Sequence, residues 1–155
     1  MKTLTLESLT EPRVEALGAH IAGTLFPGAF LALFGGLGAG KTTFTRALAA
    51  ALGISDAASP TFTIVQEHEG TLPLFHFDAY RLASADELYA IGFDDYLARA
   101  GVIIMEWCEN VPEALPRERL ELNLVGSGME PRAATLAAYG ARYEAILETL
   151  EGFPA

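Results

Sequence analysis

Residues 33–44 read Leu-Phe-Gly-Gly-Leu-Gly-Ala-Gly-Lys-Thr-Thr-Phe. Within them Gly35, Gly36, Leu37, Gly38, Ala39, Gly40, Lys41 and Thr42 satisfy G-x-x-x-x-G-K-[ST], the spacing of a loop that wraps phosphate. Such a loop turns its N–H groups inward, which needs backbone angles that glycine adopts without a Cβ clash. A helix opening at Lys41 would aim its positive end at the same phosphates. Lysine is scarce in this chain: Lys2 and Lys41 are the only two, beside eight arginines. At position 41 a compact ammonium can reach the β- and γ-phosphates, where a planar guanidinium would be bulkier. Thr42 offers a hydroxyl to Mg²⁺, and Thr43 follows as a further cofactor-binding residue. The chemistry expected here is binding of a nucleoside triphosphate with Mg²⁺.

A site of this kind also needs an acid at the end of a neighbouring apolar strand. Two segments deliver one: Val102-Ile103-Ile104-Met105-Glu106 and Leu74-Phe75-His76-Phe77-Asp78. Mg²⁺ keeps several waters, so one acid can touch the metal while the other holds or activates a water. Spacing leaves open which does which. The chain lacks N-K-x-D, the element that guanine-specific proteins use on the base, so ATP is favoured over GTP. It also lacks an arginine-rich lid of the kind a small-molecule kinase uses as a clamp. Arg81 is the arginine nearest the candidate acids in sequence.

These groups need a scaffold. Residues 30–34 (FLALF) and 101–106 (GVIIME) read as buried strands. Residues 10–25 read as a helix, with Thr10 as cap, Pro12 in the first turn, and Val14, Leu17, Ile21 and Leu25 on one face. Residues 41–52 read as a second helix, closed by Gly53. Residues 61–67 and 72–78 read as strands joined by a turn at Glu69-Gly70. One or two short helices fall in 84–100, opened by a capping box of Ser84 and Glu87. Residues 119–125 and 133–139 alternate as antiparallel strands, and 142–150 closes as a helix. The fold class is α/β: a P-loop NTPase-type three-layer fold with a mixed, mostly parallel central sheet flanked by helices.

The 155 residues suit one ATPase-type domain spanning 1–155, and a 51% hydrophobic composition indicates a globular chain. No apolar run is long enough to span a bilayer, the N-terminal residues do not read as a secretory signal, and one cysteine, Cys108, forms no internal disulfide. A reducing cytoplasm is the expected setting. The net charge of -10 repels a phosphate backbone, so contact with nucleic acid is expected to fall to a partner.

Several segments together resemble one family. GGLGAGKTTFTRALAAALG (35–53), SPTFTIVQE (59–67), HFDAYRL (76–82), ELYAIGFDDYL (87–97) and MEWCE (105–109) are similar to the bacterial tRNA threonylcarbamoyladenosine biosynthesis ATPases, TsaE, formerly YjeE. The resemblance implies a small ATPase acting with TsaD-like and TsaB-like proteins, which transfer threonylcarbamoyl to the adenosine beside the anticodon in tRNAs reading A-starting codons. ATP binding and hydrolysis would reset that transferase, and tRNA would be met only indirectly. By the same resemblance Glu106 is the metal-side acid beside Thr42, and Asp78 positions or activates water. Ser59, Pro60 and Thr61 form a switch loop sensing the γ-phosphate. Trp107 follows the metal acid, either near the nucleotide or as a core residue, and Tyr80 and Arg81 are functional members of their motif. His76, between two phenylalanines, reads more simply as a core histidine. The chain departs from the family at Gly36, where Asp or Asn is frequent, at Ala79, where Leu is usual, and at Cys108, where Pro is usual. The alternatives are a small-molecule phosphotransferase and a non-hydrolysing nucleotide-gated binding module. For the base pocket, Thr10 and Arg132 are the candidate contributors.

Overall fold

The computed structural model describes residues 1–55 and 64–153. Its centre is a seven-stranded sheet. In chain order the elements are β1 (Lys2–Leu9), α1 (Glu11–Ala22), β2 (Phe30–Phe34), α2 (Lys41–Ala51), β3 (Val65–His68), β4 (Leu74–Asp78), α3 (Ala85–Ala90), α4 (Phe93–Ala98), β5 (Val102–Glu106), β6 (Arg119–Val125), β7 (Arg132–Tyr139) and α5 (Ala141–Thr149). Two 3-10 turns, Cys108–Asn110 and Pro112–Ala114, follow β5.

The strands lie in the order β1-β7-β6-β2-β5-β4-β3. The central four, β6, β2, β5 and β4, run parallel. The outer pairings are antiparallel. The P-loop NTPase-type three-layer class expected from the sequence is the one observed. β6 has one partner of each kind: antiparallel to β7, as its alternation suggests, and parallel to β2.

β2 shows why both faces of the sheet are covered. Leu31 and Leu33 point into one apolar layer with Leu17, Ile21, Phe44 and Leu48 of α1 and α2. Phe30 and Ala32 point into the other, with Phe75, Phe77, Phe93 and Met105. Alternation carries no polar face because neither side meets water. α1 and α2 cross closely at Gly18, where a Cβ would stand 2.6 Å from the Phe44 carbonyl oxygen.

Some local features differ from the expectations above. β1 falls outside the expected elements: Leu4 and Leu6 alternate with Thr3, Thr5 and Glu7, and the strand pairs with β7 at the edge of the sheet. Thr10 and Ser84 occupy N-cap positions, but neither hydroxyl makes a capping hydrogen bond. Glu87 does reach back, accepting from the Ala83 N–H at 3.2 Å instead of from Ser84. Only part of the 61–67 strand is among the described residues, where the strand runs Val65–His68.

Candidate nucleotide site

β2 ends at Phe34 and α2 begins at Lys41, so the glycine loop sits at the carboxyl end of a central parallel strand. Open α/β sheets place ligands there. Gly35 has φ +142°, and a Cβ would lie 2.6 Å from the Leu124 carbonyl oxygen. Gly40, at the N-cap of α2, has φ +106°. Any other residue at these positions would be strained. At Gly36 a Cβ would meet nothing within 4 Å.

Parallel pairing delivers the two acids together. Asp78 ends β4, Glu106 ends β5, and the two are direct cross-strand partners. Glu106 is also in register with Leu33 of β2, just before the loop. Lys41 and Glu106 are buried, 7% and 5% exposed, with Lys41 Nζ 3.9 Å from Glu106 Oε1. The ammonium also lies 4.4 Å from the centre of the Trp107 ring, a cation–π arrangement. Gly36 through Thr43, Asp78, Glu106, Trp107 and Arg132 line a cavity of about 340 Å³.

Asp78 is half-buried, and its Oδ1 accepts the Tyr80 N–H at 2.9 Å. Burial holds its carboxyl above the ordinary range; the Tyr80 N–H pulls the other way, and the Glu106 charge adds to the rise. Trp107 is half-buried at the rim, with φ +60° and its ring 4.8 Å from that of Tyr80. It lies beside the loop and also packs against the core layer that holds Phe77 and Met105. A bulky residue in the left-handed region is uncommon, and such outliers gather at functional sites. Tyr80 is exposed beside it, and Asn110 Nδ2 donates to the carbonyls of Ala79 and Tyr80, holding that turn.

A second cavity, of about 250 Å³, adjoins the first and shares Gly40, Thr43 and Arg132 with it. Leu9, Thr10, Val14, Met129 and Pro131 form much of its wall. Thr10, a candidate for the base pocket, lines this second cavity. Arg132 lines both cavities. Its guanidinium donates to the carbonyls of Ala39 (3.0 Å), Gly38 (2.9 Å) and Gly128 (3.2 Å), and also to that of Glu130. It braces the glycine loop against the β6–β7 connection. No motif in the sequence signals that contact, which joins residues 93 positions apart.

His76 has a polar partner that the sequence reading does not supply. It is fully buried, with Nε2 2.6 Å from Glu106 Oε2. The signal was present: His76 and Asp78 are two residues apart on a strand and share a face. Cys108 is a buried thiol whose Sγ–H donates to the Met105 carbonyl at 3.1 Å. Ser59, Pro60 and Thr61, expected as a switch loop, lie outside the described residues.

The fold and this loop define a P-loop NTPase-type α/β protein. A family profile described as "Threonylcarbamoyl adenosine biosynthesis protein TsaE" matches residues 8–134. A tRNA threonylcarbamoyladenosine biosynthesis protein TsaE from Bacillus subtilis is 41% identical over 152 residues, covering 97% of this chain and 95% of that protein. The Streptomyces coelicolor protein of the same description is 40% identical over 136 residues, covering 82% and 91%. The crystal structure of Bacillus subtilis YdiB superposes with a TM-score of 0.84 at 36% identity, covering 99% of this chain and 97% of that one. The chain belongs to the TsaE family.

Proposed function

We propose that the protein is a Mg²⁺-dependent ATPase serving threonylcarbamoyl modification of the adenosine beside the anticodon in tRNAs that read A-starting codons. Family membership supports the pathway, since relatives are named for tRNA threonylcarbamoyladenosine biosynthesis. The observation that carries the ATPase reading is the convergence of Lys41, Asp78 and Glu106, from three elements, on one cavity lined by the glycine loop.

In this reading the loop and the first turn of α2 cradle the phosphates, since a helix leaves its first N–H groups without intrahelical partners. Lys41 moves its charge from Glu106 and Trp107 to the β- and γ-phosphates. The cavity beside Thr10 and Met129 receives the adenine. Asp78 aligns a water and accepts its proton; a carboxyl held above its ordinary range is the better base. The water oxygen bonds to the γ-phosphorus, the bond to the bridging oxygen breaks, and ADP leaves with that electron pair.

The donors present suit Mg²⁺, which prefers oxygen ligands. Among the described residues no three His, Cys, Asp or Glu are grouped to hold a metal on protein ligands alone. Beside a nucleotide one or two carboxylates suffice, because phosphate oxygens and waters complete the shell. Thr42 and Glu106 would hold the ion, which neutralises charge developing on the phosphates when bound.

The partners are proteins resembling TsaD and TsaB, and the ATP cycle resets their transferase. A chain with net charge -10 leaves the RNA to them. Among the described residues no helix is long and apolar enough to cross a membrane, and the proposed setting is the cytoplasm. The test is ATP hydrolysis with Mg²⁺ by the protein alone, then with both partners and substrate tRNA. A low rate that rises sharply on mixing is expected. Phosphate passing to a small-molecule acceptor, or ATP bound without turnover in the full mixture, would overturn the reading.

A further inference from the structure

His76 poses a physical problem. It stands between Phe75 and Phe77 on β4, 0% exposed, where an apolar side chain would suit the surroundings. Its Nδ1 is buried with no hydrogen-bond partner. Everything polar about the residue is therefore concentrated in one contact, Nε2 to Glu106 Oε2 at 2.6 Å. A carboxylate only accepts, so Nε2 carries the proton and donates. The contact divides the carboxylate: Oε2 is held from within the sheet by His76, while Oε1 lies 3.9 Å from Lys41 Nζ.

We propose that His76 is a positioning residue: its Nε2–H holds Glu106 by Oε2 so that Oε1 is turned to the Lys41 side, the metal side of the nucleotide site. This rests on the reading of Glu106 as the metal-side acid. A glutamate has three side-chain torsions, and on the last residue of β5 the backbone alone does not fix them. Tethering one oxygen from behind fixes the direction of the other. Hydrogen bonds from a second rank of residues orient metal ligands in this way, and their loss typically weakens metal affinity about 10- to 100-fold.

Two variants separate positioning from packing. His76→Phe keeps a flat ring and removes the donor. His76→Gln keeps a donor near the place of Nε2. The measurement is binding of a fluorescent, non-hydrolysable ATP analogue as Mg²⁺ is titrated, with binding in EDTA as the reference. His76→Phe is expected to match wild type in EDTA and to need about tenfold more Mg²⁺ for half-maximal effect. His76→Gln should return that midpoint to within about threefold of wild type. An unchanged Mg²⁺ midpoint in His76→Phe overturns the proposal, whatever happens to its melting temperature. Should His76→Phe fail to fold, His76→Asn replaces it, since its shorter amide cannot reach Oε2; the same two outcomes apply. Glu106→Gln is run alongside. If it responds to Mg²⁺ as wild type does, the reading of Glu106 fails; if it is impaired while His76→Phe is not, only the role of His76 fails.

Discussion

Asp78 and Glu106 stand side by side at the carboxyl ends of β4 and β5, in direct register. Burial raises the proton affinity of Asp78, and the Glu106 charge adds to the rise. The arrangement costs stability and is what phosphoryl chemistry with a divalent cation requires.

Asp78→Asn should therefore stabilise the protein while removing turnover. The folded carboxyl binds its proton more tightly than the unfolded one. Below the ordinary carboxylate pKa both states are protonated and nothing is lost. As pH rises through that value the unfolded chain ionises first, and stability falls until the folded carboxyl has ionised too. Asparagine keeps the acceptor for the Tyr80 N–H and removes the charge. The melting temperature of Asp78→Asn should exceed that of wild type at pH 7, and the gain should vanish at about pH 3. Thermal melts across pH check it; an equal gain at both ends would contradict the assigned cause.

Lys41→Ala removes the buried ammonium that faces Glu106 at 3.9 Å. Loss of one such charge from a phosphate site should lower kcat/KM for ATP by about 10²-fold or more. Lys41→Arg should not rescue it, because the space between Glu106 and the Trp107 ring suits an ammonium. Steady-state kinetics in the presence of the partners measures both.

Tyr143 tests how the sheet is anchored. Its hydroxyl accepts the buried Phe30 N–H at 3.0 Å, tying α5 to the start of β2. Tyr143→Phe strands that donor and should cost about 1–3 kcal/mol in chemical denaturation. ATP affinity should stay near wild type, since the contact lies at the opposite end of β2 from the loop.

Cys108 should be inert in the folded protein. Burial pushes its thiol far above the usual range, with Glu109 adding to the rise, so the reactive thiolate is scarce. A thiol reagent at pH 8 should label it only after unfolding; labelling of the native protein within minutes would contradict the burial.

Much of this was readable in the residues. The loop, Lys41 and both acids could be found because glycine spacing and apolar runs ending in a carboxylate are local signals. That Asp78 and Glu106 meet follows once β4 and β5 are parallel neighbours, and strand order is not a local property. β1 has the right alternation in KTLTLES, but Leu4 and Leu6 are only half-buried and its partner lies at the far end of the chain. Arg132 could be noticed only as a cation; its four carbonyl partners belong to folded loops. His76 reads as a core histidine in the sequence because two phenylalanines flank it, and the glutamate that it meets is thirty residues away.

In the proposed function the paired acids turn over Mg²⁺-ATP within the partner complex. The most direct measurement is phosphate release by wild type, Asp78→Asn and Glu106→Gln, each with Mg²⁺, both partner proteins and substrate tRNA. The account predicts robust release by wild type and a fall of about 10²-fold or more in each variant, with ATP still bound by Asp78→Asn. Wild-type release rates in both variants would contradict it.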